Sequence, residues 1–509
     1  MKRLFNNSRM QLPVVLMFMV IMSIITSREL NAQVLRAGIG KANIGMVKGN
    51  IHDSLYSKAL VIENKNTRVV IITMDIITIG GLGRYTEEFL PDLRKKLESD
   101  LGINAKNILI NADHNHRTGQ VSGDLVEKTV LAVKMAIQNL EPVKIGAGSG
   151  FEDNITMNRR VKLKNGDEYT IRAATPDIPD EEIVGVKEMD PEIGILKIDR
   201  LDGSTKAVLY NFACHPLLGV PDGGVTAAYP GFASGVIEDQ LGKGAMALFL
   251  QGAGGDVIEV NFKNVNRVKS GEPVGRELGL STLKALRDIP TSKNTGITVV
   301  NETIQFPLRT DVPERIISLE KQEEELINTL RTTSLNLKTF IPLIIKYSLS
   351  PVYPSDQSYV YLHEKNIGVK DLEMLDKSNR SDLDKYIQNV LAMEKITLIE
   401  ENILRLKSTQ ENLGKYGGTH ISVDIQCMKI GDFVVVTFPG EAFVQVGLNI
   451  KKQSPFKNTF IAAYSNGYFH YAPTADSYGD LGYEDKLCIL APEWQKIFEE
   501  KVAEMLKKL

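Results

Sequence analysis

The sequence predicts an α/β protein in which mixed β-sheets are covered by helices and a mostly helical segment is inserted into the chain. The first observation is a set of short apolar runs, rich in β-branched and aromatic residues, that lie between turn signals. These runs are Arg68–Asp75, Asn107–Asn111, Lys206–Phe212, Ala245–Leu250 and Phe433–Phe438. Such near-continuous apolar runs are typical of strands that are buried on both faces. The second observation is that helical stretches such as Thr86–Leu97 and Leu125–Leu140 lie between the runs, so helices are expected to cover the sheets.

The third observation is a change of pattern over about 309–415, where strand-like runs stop and apolar residues recur at helical spacing. Asp311 and Glu314 are expected to form a capping box at the start of the first helix. A second long helix is predicted from Ser381 to Leu406. Between them lies an apolar stretch broken by prolines, Phe340–Pro354. We expect it to pack the insertion onto the rest of the protein, and a lipid-facing lid is the less favoured alternative.

The charge balance excludes partners that bind through a bulk electrostatic field. The chain has 509 residues with 60 basic and 63 acidic side chains, for a formal net charge of −3. Neither nucleic acid nor an anionic membrane is attracted by such a balance. Any partner must therefore be recognised by a local site.

The N-terminal segment has the pattern of a signal peptide. Basic residues precede the apolar run Leu12–Ile25, and a short polar segment that ends at Ala32 follows it. The run is shorter than the roughly 20 apolar residues that span a bilayer, so a stable transmembrane anchor is not expected. We expect cleavage of residues 1–32 and export of a catalytic domain over 33–509 to the periplasm or the medium.

The three cysteines do not form a disulfide framework or a zinc knuckle. They are odd in number and widely separated, at Cys214, Cys427 and Cys488. A metal bound by this chain would therefore need histidine and oxygen ligands.

Two predicted strands end on histidines. In Ile108–His116 the strand continues into His114 and His116, and residues two apart on an extended strand point the same way. An HxH pair is as often a surface or hydrogen-bonded pair as a metal site, so this segment leaves both interpretations open. His215 ends the next strand, at the carboxyl end where α/β sheets bind ligands. Its neighbour Cys214 should face the opposite side and belong to the core.

Two later segments have weaker signals. Leu248–Asp256 is a strand followed by a glycine-rich turn that matches neither a phosphate-binding loop nor a dinucleotide-binding pattern. It is either a tight turn that lines a site or a turn without a ligand. Glu441 follows a strand, a proline and a glycine, where a carboxylate can reach inward. The tyrosine-rich segment Ala462–Glu484 comes next, and aromatic residues usually indicate packing.

Nine short motifs lie in order along the chain. They are RAGIGKANI at 36–44, HNH at 114–116, NRR at 158–160, DPEIGIL at 190–196, NFACHP at 211–216, YPG at 229–231, FLQGAGGD at 249–256, FPGE at 438–441 and YAPT…YE at 471–484. Together they resemble the motifs of the neutral/alkaline non-lysosomal ceramidase family, especially its shorter bacterial members.

The resemblance implies a zinc-dependent hydrolase that cleaves an N-acyl amide bond of a lipid or small molecule with a metal-activated water. It implies that Zn²⁺ is held by His114, His215, Glu441 and Tyr471. These ligand types suit zinc and leave a position for water. It further implies that His116 is the general base, and that Arg159 and Tyr483 hold the substrate carbonyl and its developing oxyanion.

Several positions depart from the family pattern. Ile258 occupies the place of the family's active-site serine, Arg117 and Thr118 replace a small serine after HxH, and Ala228 stands where relatives often have aspartate. No immunoglobulin-like C-terminal domain is expected after the closing helix near Leu509. These differences leave two alternatives open. One is hydrolysis of another exported amide or ester, and the other is a non-catalytic binding protein on the same scaffold.

Overall fold

The computed structural model of the chain describes residues 35–45, 49–82, 88–119, 121, 123–171, 178–293, 296–352, 358–479 and 482–509. The expected signal peptide, residues 1–32, lies outside the described residues. Among the residues that are described, no helix combines the length and apolar character needed to cross a membrane. The chain divides into two compact units, and unit 1 comprises Met1–Leu308 with Gly418–Leu509 while unit 2 is Arg309–Gly417.

The described strands are β1 (Arg36–Asn43), β2 (Tyr56–Glu63), β3 (Arg68–Met74), β4 (Ile108–Ala112), β5 (Glu141–Phe151), β6 (Thr156–Asn158), β7 (Arg160–Leu163), β8 (Glu168–Thr170), β9 (Ile183–Val186), β10 (Glu192–Arg200), β11 (Thr205–Phe212), β12 (Met246–Gln251), β13 (Val257–Glu259), β14 (Ile297–Pro307), β15 (His420–Ile430), β16 (Phe433–Thr437), β17 (Glu441–Ala442), β18 (Asn458–Ala462) and β19 (Tyr471–Ala472). The described helices are α1 (Phe89–Leu101), α2 (Leu125–Gln138), α3 (Ala228–Leu241), α4 (Glu272–Leu286), α5 (Val312–Ile327), α6 (Leu337–Leu349), α7 (Ser358–Ile367), α8 (Asp371–Tyr416), α9 (Val444–Gln453) and α10 (Trp494–Leu506). The predicted α/β class is confirmed, and all five predicted strands are present within one residue at each end.

Two mixed sheets form the body of unit 1. The larger has the strand order β12-β11-β10-β5-β1-β2-β3-β4, and the smaller has the order β14-β15-β16-β18. Pairing is mostly antiparallel, but β3–β4, β11–β12 and β16–β18 are parallel. Parallel neighbours end at the same edge of a sheet, so the segments after these three pairs are the ones that can meet in a site.

The two faces of the large sheet are both buried, which explains the apolar runs in its strands. On one face, Leu60 and Leu209 pack in a core that includes Phe433 and Phe460 of the small sheet. On the other face, α1 and α2 cover β2, β3 and β4, while α3 and α4 cover β10, β11 and β12. Helix α10 packs on β14 of the small sheet, where the Trp494 ring lies edge-on to a phenylalanine of that strand. Helices therefore cover the sheets, as predicted.

The two helices predicted between the strands are present with shifted ends. The first, predicted as Thr86–Leu97, runs as α1 from Phe89 to Leu101, and the first part of the predicted range lies outside the described residues. It ends where Gly102 adopts φ of 62°, a left-handed conformation that glycine takes without strain. The second, predicted as Leu125–Leu140, is α2 and ends two residues earlier than expected.

Unit 2 consists of α5, α6, α7 and α8 in its described residues. The expected capping box at Asp311 is wrong, because both of its carboxylate oxygens accept hydrogen bonds from the Arg309 guanidinium at 2.7 Å. The helix predicted over Ser381–Leu406 is longer and runs as α8 over 46 residues. The apolar stretch Phe340–Pro354 overlaps α6, which begins three residues earlier at Leu337, has Asn336 as its capping residue and contains Pro342.

Candidate metal centre and active site

His114 and His116 come together by a turn rather than by strand geometry. Strand β4 ends at Ala112, and His114 has φ of 59°, which is a left-handed conformation and not an extended one. The expectation that the pair lies on one face of a strand is therefore wrong in its geometry. The outcome is nevertheless a close pair, because the two Nε2 atoms lie 3.2 Å apart. The His114 ring is buried, whereas His116 is exposed at the surface.

His215 reaches the same place from the end of β11. It lies beside Ile258 of β13 in a parallel bridge, and its ring centroid is 4.8 Å from that of His114. Cys214 is fully buried in the core beneath α3, as predicted. One ring nitrogen from each of His114, His116 and His215 lies within 4.8 Å of the other two. The structure thus brings together the three histidines that the sequence singled out.

Backbone carbonyls fix the ring orientation of both buried histidines. His114 Nδ1 is 2.8 Å from the carbonyl oxygen of Ile77, and His215 Nδ1 is 2.6 Å from that of Gly254. A carbonyl oxygen only accepts hydrogen bonds, so in each ring Nδ1 carries the hydrogen. Burial lowers the pKa of His215 to about 4, so its ring is neutral at pH 7. The Nε2 atom of such a ring is a lone-pair donor to a cation.

Glu441 completes a convergence of acceptor atoms. Its Oε2 lies 2.9 Å from His215 Nε2 and 3.4 Å from His114 Nε2. Burial opposes ionisation of this carboxyl, but the two histidines outweigh it and hold the pKa of Glu441 well below its ordinary value. When the rings are neutral with the hydrogen on Nδ1, both Nε2 lone pairs and the Glu441 oxygen face the same point with no hydrogen between them. A cation at that point would accept these lone pairs, so the residues fit a metal site.

The glycine-rich turn lies directly against this site. The Gly255 nitrogen donates to the carbonyl oxygen of Ala442 at 2.9 Å. A Cβ atom on Gly255 would lie 2.4 Å from the carbonyl oxygen of Glu441, and on Gly254 it would lie 2.8 Å from the nitrogen of Cys214. Only glycine permits this close approach of the backbone to the Glu441 strand. Of the two interpretations of the turn, the structure favours the one in which it lines a site.

Tyr464 and Tyr468, for which the sequence predicts packing roles, contact the Glu441 carboxylate. The Tyr468 hydroxyl donates a short hydrogen bond to Oε1, and the Tyr464 hydroxyl donates to Oε2 at 3.4 Å. The Tyr464 ring also stacks on His114 with centroids 4.1 Å apart. Burial, with the nearby carboxylate, raises the pKa of Tyr468 well above its ordinary value, so the hydroxyl stays a donor. The tyrosine-rich composition of the segment was the available signal.

Tyr471, Arg159 and Tyr483 form a second group beside the histidines. Strands β17 and β19 pair in parallel with Glu441 opposite Tyr471. The Tyr471 hydroxyl accepts a hydrogen bond from Arg159 Nη2 at 3.2 Å and lies 3.4 Å from the Tyr483 hydroxyl. The Arg159 guanidinium also lies over the Tyr483 ring, 5.1 Å from its centroid. All seven predicted site residues thus fall into two groups that meet where Glu441 pairs with Tyr471.

Glu484 is a buried anchor for this second group and was not predicted as a site residue. Its Oε1 accepts from Arg159 Nε at 2.9 Å, and its Oε2 accepts from Arg160 Nη1 at 3.0 Å and from the Thr170 hydroxyl at 2.7 Å. Burial alone would raise the pKa of Glu484, but the two arginines lower it to about 2. The carboxylate is ionised and holds the Arg159 guanidinium in one orientation.

Of the positions that depart from the family pattern, Ile258 lies directly beside a histidine of the site. Ile258 is buried beside His215, so the place of the family's serine is filled by an aliphatic side chain. Arg117 Nε donates to the carbonyl oxygen of Leu217 at 2.8 Å. Ala228 begins α3 with φ of 50°.

Comparison with solved structures gives the same architecture. No protein-family model matches the chain. The crystal structure of a neutral ceramidase from Pseudomonas aeruginosa matches with a TM-score of 0.58 and 16% identity, covering 93% of this chain and 74% of that one. A ceramidase complexed with C2 matches with a TM-score of 0.57 and 16% identity, covering 93% and 75%. The fold implied by the sequence motifs is therefore confirmed, and the chain has the fold of the neutral ceramidases.

Proposed function

We propose that the protein is an exported zinc-dependent amidohydrolase of the ceramidase type that cleaves an N-acyl amide bond. The observation that carries the proposal is the convergence of His114 Nε2, His215 Nε2 and Glu441 Oε2, three atoms that can all offer lone pairs to a cation when the rings are neutral. In this proposal these residues bind Zn²⁺ with Tyr471 as the fourth ligand. When bound, zinc supplies a water molecule of lowered pKa and polarises the substrate carbonyl.

The side chains around this centre have matching roles in the proposal. His116 is the general base, since desolvation and the neighbouring histidines lower its pKa to about 2, so its ring is neutral, faces His114 and can accept a proton and later return it to the leaving amine. Arg159 and Tyr483 donate hydrogen bonds to the carbonyl oxygen as its negative charge grows. Glu484 and the ring of Tyr483 keep the Arg159 guanidinium in place before substrate binds.

The leading substrate class is a lipid or small molecule with an N-acyl amide, with a ceramide-type lipid first. Support comes from the two ceramidase structures that share the fold and from the nine sequence motifs. Ile258 beside His215 favours the second candidate, which is another exported amide or ester, because an aliphatic side chain cannot replace a serine hydroxyl. The scaffold would also suit a non-catalytic binding protein, which is the third candidate.

The proposed organisation follows the sequence pattern. Residues 1–32 are a signal peptide, and 33–509 are a catalytic domain with a helical insertion at about 309–415. The protein would then act in the periplasm or outside the cell. Sequencing of the exported protein should find an N-terminus near Gln33, and an intact N-terminus in a membrane fraction would contradict export.

One experiment separates the three candidates. The purified protein and its His114→Ala variant are analysed for metal by plasma mass spectrometry and assayed on a panel of N-acyl amides and esters. His363→Ala is the matched control, because His363 is an exposed histidine of unit 2. We expect one zinc per chain and turnover in the wild type and the control, and loss of both in His114→Ala. A metal-free wild type that stays inert after zinc is added would leave only the binding protein.

A further inference from the structure

Helix α6 of unit 2 exposes a continuous row of large apolar side chains. The exposed fractions are 60% for Leu337, 47% for Ile341, 52% for Ile345 and 81% for Leu349. These four residues, called the apolar stripe below, are spaced four apart and therefore lie along one face of the helix. Just after the helix, Val352 is also exposed. Single exposed apolar residues are common on proteins, whereas a row that follows one helix face indicates a binding surface.

The opposite side of α6 is firmly packed inside unit 2. The Phe340 ring stacks on Tyr386 of α8 with centroids 4.5 Å apart. Tyr347 is buried, its hydroxyl donates to Asp376 at 2.9 Å, and the Arg380 guanidinium lies over its ring. A capping box at Asn336 fixes the start of the helix. The helix is therefore held with its stripe facing outward.

The charges on α6 have one sign. The helix contains Lys338 and Lys346 and has no acidic residue between Leu337 and Leu349. A helix with one apolar face and lysines as its only charged residues matches helices that lie in the plane of a membrane interface. Lysine stems can cover apolar surface while the ammonium groups reach anionic headgroups.

We propose that α6 is an interfacial helix that docks unit 2 on an anionic lipid surface through the apolar stripe. The main competing occupant is the same stripe of a second copy. A two-fold contact between stripes would bring the lysines of one α6 towards those of the other, and like charges across an interface are unfavourable. Anionic headgroups instead complement the exposed Lys338. The docking goes beyond the proposed hydrolysis and does not depend on it.

The test is vesicle flotation with the full chain. Vesicles of phosphatidylcholine alone are compared with vesicles that also contain phosphatidylglycerol. The stripe variant is Ile341→Ser with Ile345→Ser, and the matched control is Val265→Ser with Val268→Ser, two exposed valines of unit 1. All variants share one N-terminal segment, so a difference between them reports on the substituted surface.

We expect the wild type to prefer anionic vesicles and the stripe variant to bind them about tenfold or more weakly, with the control unchanged. Lys338→Ala should weaken anionic binding about fivefold and leave binding to phosphatidylcholine unchanged. The unfolding transition of every variant should match the wild type, because the substituted side chains are exposed.

Three results would overturn the proposal. They are no binding of the wild type to either vesicle, equal binding of the wild type and the stripe variant, and a concentration-dependent dimer that the stripe substitutions dissolve. His114→Ala should bind vesicles like the wild type, so a failure of the hydrolase proposal leaves this test intact. Equally, a failure of vesicle binding would not contradict the hydrolase proposal.

Discussion

Replacing Glu484 with glutamine removes a carboxylate that accepts hydrogen bonds from both Arg159 and Arg160. Glu484 is fully buried and accepts hydrogen bonds from both guanidinium groups and from the Thr170 hydroxyl. Glutamine has nearly the same shape, so the packing is kept while the negative charge is lost. Arg160 retains Glu168 as a partner at 2.9 Å, but Arg159 loses its carboxylate partner at Nε. The substitution therefore tests electrostatic anchoring in isolation.

The expected magnitude follows from the pKa of the carboxyl. Its ordinary value is 4.5, and the arginines lower it to about 2 against the effect of burial. At 1.36 kcal/mol per pKa unit this corresponds to about 3 kcal/mol of folding stability at pH 7, within the roughly 3–5 kcal/mol expected for breaking a buried ion pair. Because the folded pKa lies below the unfolded one, this stabilisation is complete above pH 4.5 and is lost as the pH falls towards 2.

The assay is urea unfolding followed by tryptophan fluorescence. Trp494 is the single tryptophan of the chain and is buried in unit 1, so the signal reports on the unit that contains Glu484. We expect Glu484→Gln to lower the free energy of unfolding by about 3 kcal/mol at pH 7 and by about half as much at pH 3. The control Glu188→Gln removes an exposed pair with Lys162 and should cost under about 1 kcal/mol. A loss at pH 7 no larger than that of the control would refute the reasoning.

Three further outcomes are expected. Gly255→Ala should destabilise unit 1 by about 1–3 kcal/mol in urea unfolding, because its Cβ meets the backbone of the Glu441 strand, whereas Gly235→Ala, in an open helical position, should stabilise it by up to about 1 kcal/mol. Tyr468→Phe removes a hydrogen bond to the Glu441 carboxylate and should weaken metal binding about tenfold in a chelator competition; unchanged affinity would show that the tyrosine only packs. Burial raises the pKa of Cys214, and all three cysteines are buried, so a thiol reagent should label none of them in the native protein and three in urea.

The positions of the strands and their burial on both faces were predictable, because both follow from the local run of apolar residues. A strand such as β3 is apolar at successive positions, since it packs against helices on one face and against a second sheet on the other. The helix ends were less predictable. In unit 2, Arg309 binds both carboxylate oxygens of Asp311 and so removes the side chain that was expected to cap α5. Competition among side chains for one partner is not visible in residue spacing.

Part of the site was predictable from the same local runs of apolar residues. The two buried histidines end apolar strands, so their approach to a common edge could be expected before the structure was known. Glu441 and Tyr471 followed mainly from the family resemblance. Glu484 could not be inferred from residue patterns, because its contact with Arg159 spans 325 positions along the chain. Whether a tyrosine packs or donates to a carboxylate is likewise decided by the fold and not by its sequence neighbours.

The fold explains why these particular residues meet, because each buried group of the candidate metal centre comes with a partner from the adjacent parallel strand. His114 follows β4, and its ring is held by a carbonyl that follows β3. His215 follows β11, and its ring is held by the carbonyl of Gly254 after β12. Glu441 follows β16, and the Tyr464 hydroxyl that contacts it follows β18. Three parallel pairs from two sheets thus deliver both a candidate ligand and the group that orients it.

Polar contacts between the strand ends lock the three pairs to one another. The Asn111 side chain accepts from the nitrogen of Gln251 and donates to the carbonyl oxygen of Ala463, which joins all three pairs at one residue. Asn211 similarly donates to carbonyl oxygens of Leu250 and Ile461. Because rigid strands and buried amides fix the ligand positions, a metal would meet oriented donor atoms and would not have to order a flexible loop. This preorganisation is why a small set of contacts beneath the site, and not the ligands alone, should control metal affinity.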